Sequence, residues 1–327
     1  MVYYSIVPIN KEEAKMTTIK NQNFGIEIEL TGITRAQGAK IISQYFGNTE
    51  TDHLYDGYDS WTAKDSKGRT WKCMRDVSIK PQVKEGLRVE DRPEGRTSSD
   101  LRCEVVSPIL QYEDIEDLQN IIRALRKAGA IANESCGIHV HIDGANHTSD
   151  SLTHLMMLFI SRQDLIYKSL DIGARADRWC KPMSKDLYQG MKSSDRTRSE
   201  IERIWYSEVN DGYNGGINHS HYNETRYHGV NLHAFFTKGT VEFRLFNGTT
   251  HAGKIKAYIQ FCLAMSAWAI QAKDSYWFTK VTDEHKAMDD LLTRRLKLTG
   301  KEFETARHHL MSAFETAETA QAETISA

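Results

Sequence analysis

The chain has no apolar run approaching the ~18 residues that a helix needs to cross a membrane. It has no excess of charge of one sign: 42 lysines and arginines stand against 44 aspartates and glutamates, for a formal net charge of -2. A nucleic-acid or membrane-surface partner normally shows as a basic excess, so neither is expected. No two cysteines form a CxxC, and the five, Cys73, Cys103, Cys136, Cys180 and Cys262, are scattered and odd in number. That argues against a zinc ribbon or a disulfide framework and for a reducing compartment. The opening "MVYYSIVPINKEEAKM" lacks the apolar core and cleavage site of a signal peptide, so a cytoplasmic protein is expected. There is no GxxxxGK[ST] and no GxGxxG, which leaves P-loop and Rossmann nucleotide sites unsupported. No internal repeat occurs at any useful period.

What is there is ordinary globular composition: 327 residues, 26% charged and 40% hydrophobic, enough for one large domain or two small ones. "NFGIEIELTG" alternates strictly, with Phe24, Ile26, Ile28 and Leu30 on one face of a strand and Gly25, Glu27 and Glu29 on the other. "TRAQGAKIISQYFG" predicts a helix with Thr34 as N-cap and Gly47 as stop. Residues 48–100 are mixed. Within them "GRTWKCMRD" reads as a strand, while "KEGLRVEDRPEGRTSSD" is polar, punctuated by Gly and Pro, and reads as a loop. "LRCEVVSP" predicts a second short strand, ended by Pro108. "EDIEDLQNIIRALRKAGA" sets Ile115, Leu118, Ile122 and Leu125 at helical spacing, with Gly129 near its end. A long helix is expected from about Ser149 to Leu170, then an irregular, basic stretch over 171–200. A helical segment ending near Val209 and a loop, "NDGYNGGINHSHYN", follow. "HGVNLHAFF" and "GTVEFRLFNG" read as a strand pair joined by a Thr-Lys-Gly turn, and three helices close the chain before an acidic tail. Paired strands separated by helices of varied length predict an α+β fold with an antiparallel sheet rather than a regular βαβ array.

"GIHVHID", Gly137 to Asp143, alternates imidazoles with aliphatics. In a strand, His139, His141 and Asp143 share one face and Ile138, Val140 and Ile142 the other. Three more strands divide the same way. Glu27 and Glu29 lie opposite an apolar face, and Glu104 lies opposite Cys103 and Val105, although Val106 shares its side. Glu242 and Arg244 lie opposite Val241, Phe243 and Leu245. Taken alone, E-x-E is most often a solvated strand face and E-x-R a cross-strand salt-bridge partner. If the four strands are neighbours, however, the carboxylates, two imidazoles and an arginine converge on one surface. Clustered carboxylates repel unless a cation neutralises them. Oxygen-rich ligands with one or two imidazoles suit Mg²⁺ or Mn²⁺ better than zinc, so such a metal site is expected.

In this order the motifs "FGIEIEL", "WKCMRDVSI", "CEVVSP", "CGIHVHID", "RYHGVNLHAF" and "TVEFRLFNGT" resemble the amidoligase family, over about residues 24–250. The resemblance implies a curved antiparallel sheet with one metal- and nucleotide-binding face, flanked by helices, like the glutamine synthetase catalytic domain. It implies an ATP-dependent carboxylate–amine ligase working through an acyl phosphate, with ATP and Mg²⁺ or Mn²⁺. It assigns Glu27, Glu29, Glu104, His139 and Glu242 to metal, His141 and Arg244 to phosphate, and Arg244, Glu242 and Glu104 to the catalytic centre. Asp76 and Ser78 stand where the family has a D-G-S turn, here Asp76-Val77-Ser78, and imply a nucleotide or substrate contact. The division implied is an N-terminal arm (1–20), a catalytic domain (21–300) and a C-terminal helix with a polar tail (301–327). The partners implied are a small-molecule or peptide carboxylate and an amine.

Arg175, Arg178 and Arg226 are further phosphate candidates, with a solvent-exposed arginine as the plainer reading of each. Gly212, Gly215 and Gly216 could make a lid, although a plain surface loop is the simpler account. His219 and His221 repeat the H-x-H spacing inside a polar loop, and Cys136 reads as a buried, inert thiol. Two other functions stay open: a metal-dependent hydrolase of the H-x-H type, and an inactive binding module of the same fold. The acid and the amine are not legible. Substrate loops are expected at 51–100 and 171–225.

Overall fold

The strand Phe24–Leu30 shows why the chain folds as it does: Phe24, Ile26, Ile28 and Leu30 are buried, while Gly25 and Glu27 stay partly open. Full burial of one such aliphatic side chain contributes roughly 1.5–3 kcal/mol. The structure is a computed structural model describing residues 17–86, 88–92, 95–207, 216–273 and 280–315. Most of the expected N-terminal arm, Val209, Gly212, Gly215 and the end of the tail lie outside those residues.

In chain order the strands are β1 (Phe24–Leu30), β2 (Asp52–Leu54), β3 (Ser60–Lys64), β4 (Thr70–Met74), β5 (Gln82–Glu85), β6 (Arg88–Asp91), β7 (Cys103–Val106), β8 (Gly137–Asp143), β9 (Val230–Asn231) and β10 (Thr240–Asn247). Eight of them form one antiparallel sheet in the order β2-β3-β4-β7-β1-β8-β10-β9, with β1 inside it. The helices are α1 (Arg35–Tyr45), α2 (Arg96–Ser99), α3 (Ile115–Lys127), α4 (Ser149–Leu170), α5 (Lys185–Ser193), α6 (Arg198–Ser207), α7 (His233–Lys238), α8 (Ala252–Gln271), α9 (Glu284–Asp289) and α10 (Glu304–Met311). The architecture is α+β, a large antiparallel sheet flanked by helices.

The core lies between the aliphatic face of the sheet and the helices. α4 is apolar nearly all round, Met156 to Phe159 being fully buried, as suits a helix with neighbours on every side. It packs against α8, whose Tyr258 ring stacks on Phe246 of β10 at 4.3 Å. Thr34 caps α1 through a capping box with Gln37, as the sequence predicts. No helix among the described residues is long and apolar enough to cross a membrane.

Several expectations are corrected. "HGVNLHAFF" is not a full strand: β9 holds two residues, and α7 then brings Phe235 and Ala234 back onto the core. The Thr-Lys-Gly segment accordingly ends a helix, with Gly239 in the left-handed region at φ 77°, rather than turning a hairpin. The stretch 171–200 contains α5, which buries Leu187, Tyr188 and Met191 on one helical face among its polar residues. The expected polar loop holds most of a second, two-stranded sheet, β5 with β6. β2 and β3, too short for a clear period, extend the main sheet.

Candidate functional site

Register turns the alternation into a site. Glu27 lies opposite His139, and Glu29 lies opposite Glu104 across the β1–β7 pairing. Glu242 lies opposite His141. All six, with Arg244, are on the face away from the aliphatic core, and all but His141 line a cleft of about 470 Å³. The loop after β4 adds Asp76 and Ser78 to that lining. β10 is not regular throughout: the register shifts between Phe243 and Phe246, so Phe246, not Leu245, faces Ile138. On its other side β10 keeps its register: the Arg244 N–H donates to the Gly229 carbonyl at 2.8 Å, one step beyond the Phe243–Val230 pair with β9.

His139 Nδ1 lies 3.0 Å from Glu27 Oε2 and 3.7 Å from Glu242 Oε1, and its Nε2 lies 3.8 Å from Glu29 Oε1. His141 Nε2 approaches Glu27 Oε1 at 3.2 Å, an ion-pair contact without hydrogen-bond alignment, while its Nδ1 meets Thr240 Oγ1 at 3.2 Å. The Gly137 N–H donates to Glu29 at 2.6 Å. Arg244 Nη1 and Asn231 Nδ2 donate to Glu242 at 2.5 and 2.7 Å.

Burial and mutual repulsion set the charges. Burial, and then the neighbouring Glu27 and Glu29, push Glu104 well above the usual carboxylate range. Burial and the Asp76 charge raise Glu29 to about 7 against the pull of the Gly137 N–H. Burial also works against Glu27 and Glu242, but it is outweighed. His141 and His139 hold Glu27 well below its ordinary value, and Arg244 with the two histidines holds Glu242 at about 2. Burial and Arg244 lower His139, whereas His141, also buried, is raised by Glu27 and Glu242.

Three overlapping groups offer ligand atoms within 4.8 Å of one another: Glu27, Glu104 and His139; Glu27, His141 and Glu242; Glu29, Asp76 and Glu104. Like carboxylates facing each other across a sheet are destabilising, so the cluster is short of positive charge. Its donors are oxygens with at most one imidazole per group, which fits a hard divalent cation. Asp76, expected at a nucleotide or substrate contact, stands with Glu29 and Glu104 in the third group. Sequence reading missed that role because it ran the strand "GRTWKCMRD" on to Asp76, whereas β4 ends at Met74 and Asp76 reaches the cluster from the loop beyond.

Of the other candidates, Arg226 lines the cleft, with Nη1 donating to the His221 carbonyl at 2.8 Å. Arg175 also lines it and is buried, which corrects the reading of a surface arginine. Arg178 is exposed, stacks 4.4 Å from the Trp179 ring and does not line the cleft. His219 pairs with Glu202 at 2.7 Å and shares no metal-type group with His221 among the described residues. Cys136 is buried, and burial raises its thiol to about 12, in keeping with an inert role. Trp179 and Lys238, which lie outside every quoted motif, form part of the wall, as does Tyr227 of "RYHGVNLHAF".

No curated protein matches this chain. A family model described as "Putative amidoligase enzyme" matches residues 20–266, a span that contains every strand of the sheet and every residue of the three carboxylate groups. The chain belongs to the amidoligase family.

Proposed function

We propose that this protein is an ATP-dependent carboxylate–amine ligase of the cytoplasm whose sheet is a glutamine synthetase-like catalytic sheet. The observation that carries the reading is the convergence of three carboxylate groups, linked by Glu27 and Glu104, beside the buried guanidinium of Arg244. Phosphoryl transfer is catalysed largely by positioning and by neutralising spread negative charge, and this surface is built for both. Glu27, Glu29, Glu104, His139 and Glu242 would hold Mg²⁺ or Mn²⁺, with Asp76 beside them. A cation bound there supplies charge neutralisation to phosphoryl oxygens.

Arg244 offers a planar fork suited to bidentate contact with phosphate, and its bond to Glu242 fixes the direction of that fork. His141, held by Thr240, is the second phosphate contact, while Ser78 and Arg226 reach the nucleotide or the acid from the cleft walls. The acid's carboxylate oxygen attacks the γ-phosphorus and ADP leaves. The amine nitrogen then displaces phosphate from the acyl carbon and sheds a proton. The acid is a small molecule or peptide carboxylate. The amine is ammonia, an amino acid, or a group on a protein or peptidoglycan precursor.

Phosphorus NMR of the protein with ATP, Mg²⁺ and a panel of acids and amines tests this. ADP and orthophosphate should accumulate only when acid and amine are both present. AMP and pyrophosphate would overturn the acyl-phosphate route, and phosphate release indifferent to the amine would overturn the ligase.

A further inference from the structure

Arg175 lies outside every motif that carries the family resemblance, in the short turn Gly173–Asp177. Its carbonyl accepts from the Trp179 and Cys180 N–H groups at 2.9 and 3.1 Å, so its backbone is pinned. Its side chain is only 8% exposed. The guanidinium is nonetheless poorly used: Nη2 reaches the Arg244 carbonyl at 3.4 Å, the group touches the Cys180 thiol, and Nε has no partner among the described residues. No carboxylate among the described residues lies within ion-pair distance.

Arg35 is the internal contrast. Also buried, it spends its donors on the Asp59 and Asp100 carboxylates and on the carbonyls of Asp59, Ser99 and Arg102. That is what a buried structural arginine looks like, because an unpaired buried charge is costly. Arg175 meets none of those terms from within the protein.

The fold also makes room for it. A Cβ on Gly137 would lie 2.4 Å from Arg175 Nη2 and 2.9 Å from Cζ, so any larger residue there would push the guanidinium from its place. Arg244, on the other side, is likewise buried and likewise has an unpartnered Nε. Both guanidiniums pull on the same two groups, Glu29 and the Cys180 thiol. Two cations flanking one spot repel each other and call for an anion between them. A carboxylate brings one charge and two oxygens, whereas a phosphoryl group brings nearly two charges and three.

We infer that Arg175 and Arg244 form a two-arginine clamp for a phosphoryl group, with Gly137 the glycine that lets Arg175 enter it. The inference rests on the ligase reading only in taking that group to be the terminal phosphate of ATP.

Calorimetric titration with Mg²⁺ and either ADP or a non-hydrolysable ATP analogue reads the clamp without turnover. Arg175→Met should weaken the analogue at least about tenfold, the scale of one charge-assisted contact, and leave ADP unchanged. Arg175→Lys should fall between the two proteins. Melting of the nucleotide-free Arg175→Met protein should be no lower than wild type, since the buried charge removed has no carboxylate in ion-pair contact and only one long hydrogen bond and a thiol contact are lost with it. Gly137→Ala, which displaces the guanidinium without altering it, should copy the loss. Should that variant fail to fold, Arg175→Met decides alone.

Unchanged analogue affinity in Arg175→Met, or a lowered melting point without nucleotide, would overturn the clamp. An equal loss for both nucleotides overturns the assignment to the terminal phosphate. If wild type binds no adenine nucleotide the ligase reading falls, and inorganic phosphate becomes the probe. The clamp then stands if phosphate stabilises wild type and not Arg175→Met, and it falls if phosphate stabilises neither or both alike.

Discussion

Glu29 shows what single residues carry here. An unfolded glutamate titrates near ~4.3, whereas Glu29 in the fold titrates at about 7 because burial and Asp76 penalise its charge. A carboxyl raised on folding favours the folded state while protonated, so its contribution is intact at low pH and is lost as pH rises through about 7. The swing is roughly 4 kcal/mol, because each tenfold change in proton affinity is worth about 1.4 kcal/mol. Metal-free protein should therefore melt lower at pH 8 than at pH 5, and Glu29→Gln should flatten that profile. Chelator-treated melting curves check this, and coincident wild-type and variant profiles would sink it. Glu242 has the opposite sign. Held at about 2, its contribution is present above ~4.3 and lost only in acid as pH falls through about 2. At Arg244, Lys substitution keeps the charge but loses the fork. Turnover should fall far more than nucleotide affinity, as kcat measured against nucleotide Kd would show.

At the scale of elements, the site depends on β10 and on the short helix that delivers it. α7 ends at Gly239 with φ 77°, and Thr240, which holds His141, follows immediately. Gly239→Ala forces a Cβ into the left-handed region at a cost of about 1 kcal/mol. A denaturant midpoint lowered by that amount divided by the slope, with the slope itself unchanged, is the expected result. An unchanged midpoint would mean that the turn relaxes freely. The bulge in β10 has a matching effect: it keeps Phe243 and Phe246 both on the core while Arg244 stays on the cleft face.

For the whole molecule, the sheet gathers carboxylates that repel one another, and a ligand that binds only the folded form stabilises it by mass action. Mg²⁺ or Mn²⁺ with ATP should raise Tm. Glu29→Gln should lose most of that rise while remaining folded, because its loss removes repulsion and no core packing. A variant showing the full rise would exclude Glu29 as a ligand.

The sequence by itself determined which residues share a face. Alternation is a local property of a strand, so Glu27, Glu29, Glu104, His139, His141, Glu242 and Arg244 could be assigned to a polar face before any neighbour was known. It also determined the helices whose apolar stripe is long, and the N-cap at Thr34. Only the tertiary structure decided that β7, β1, β8 and β10 are consecutive, which is what makes one surface of four faces. It alone set Asp76 beside Glu29 and Glu104, turned the last four residues of an expected strand into part of α7, and buried Arg175 against Gly137. Each of these rests on contacts between residues distant in the chain, and no local period records them.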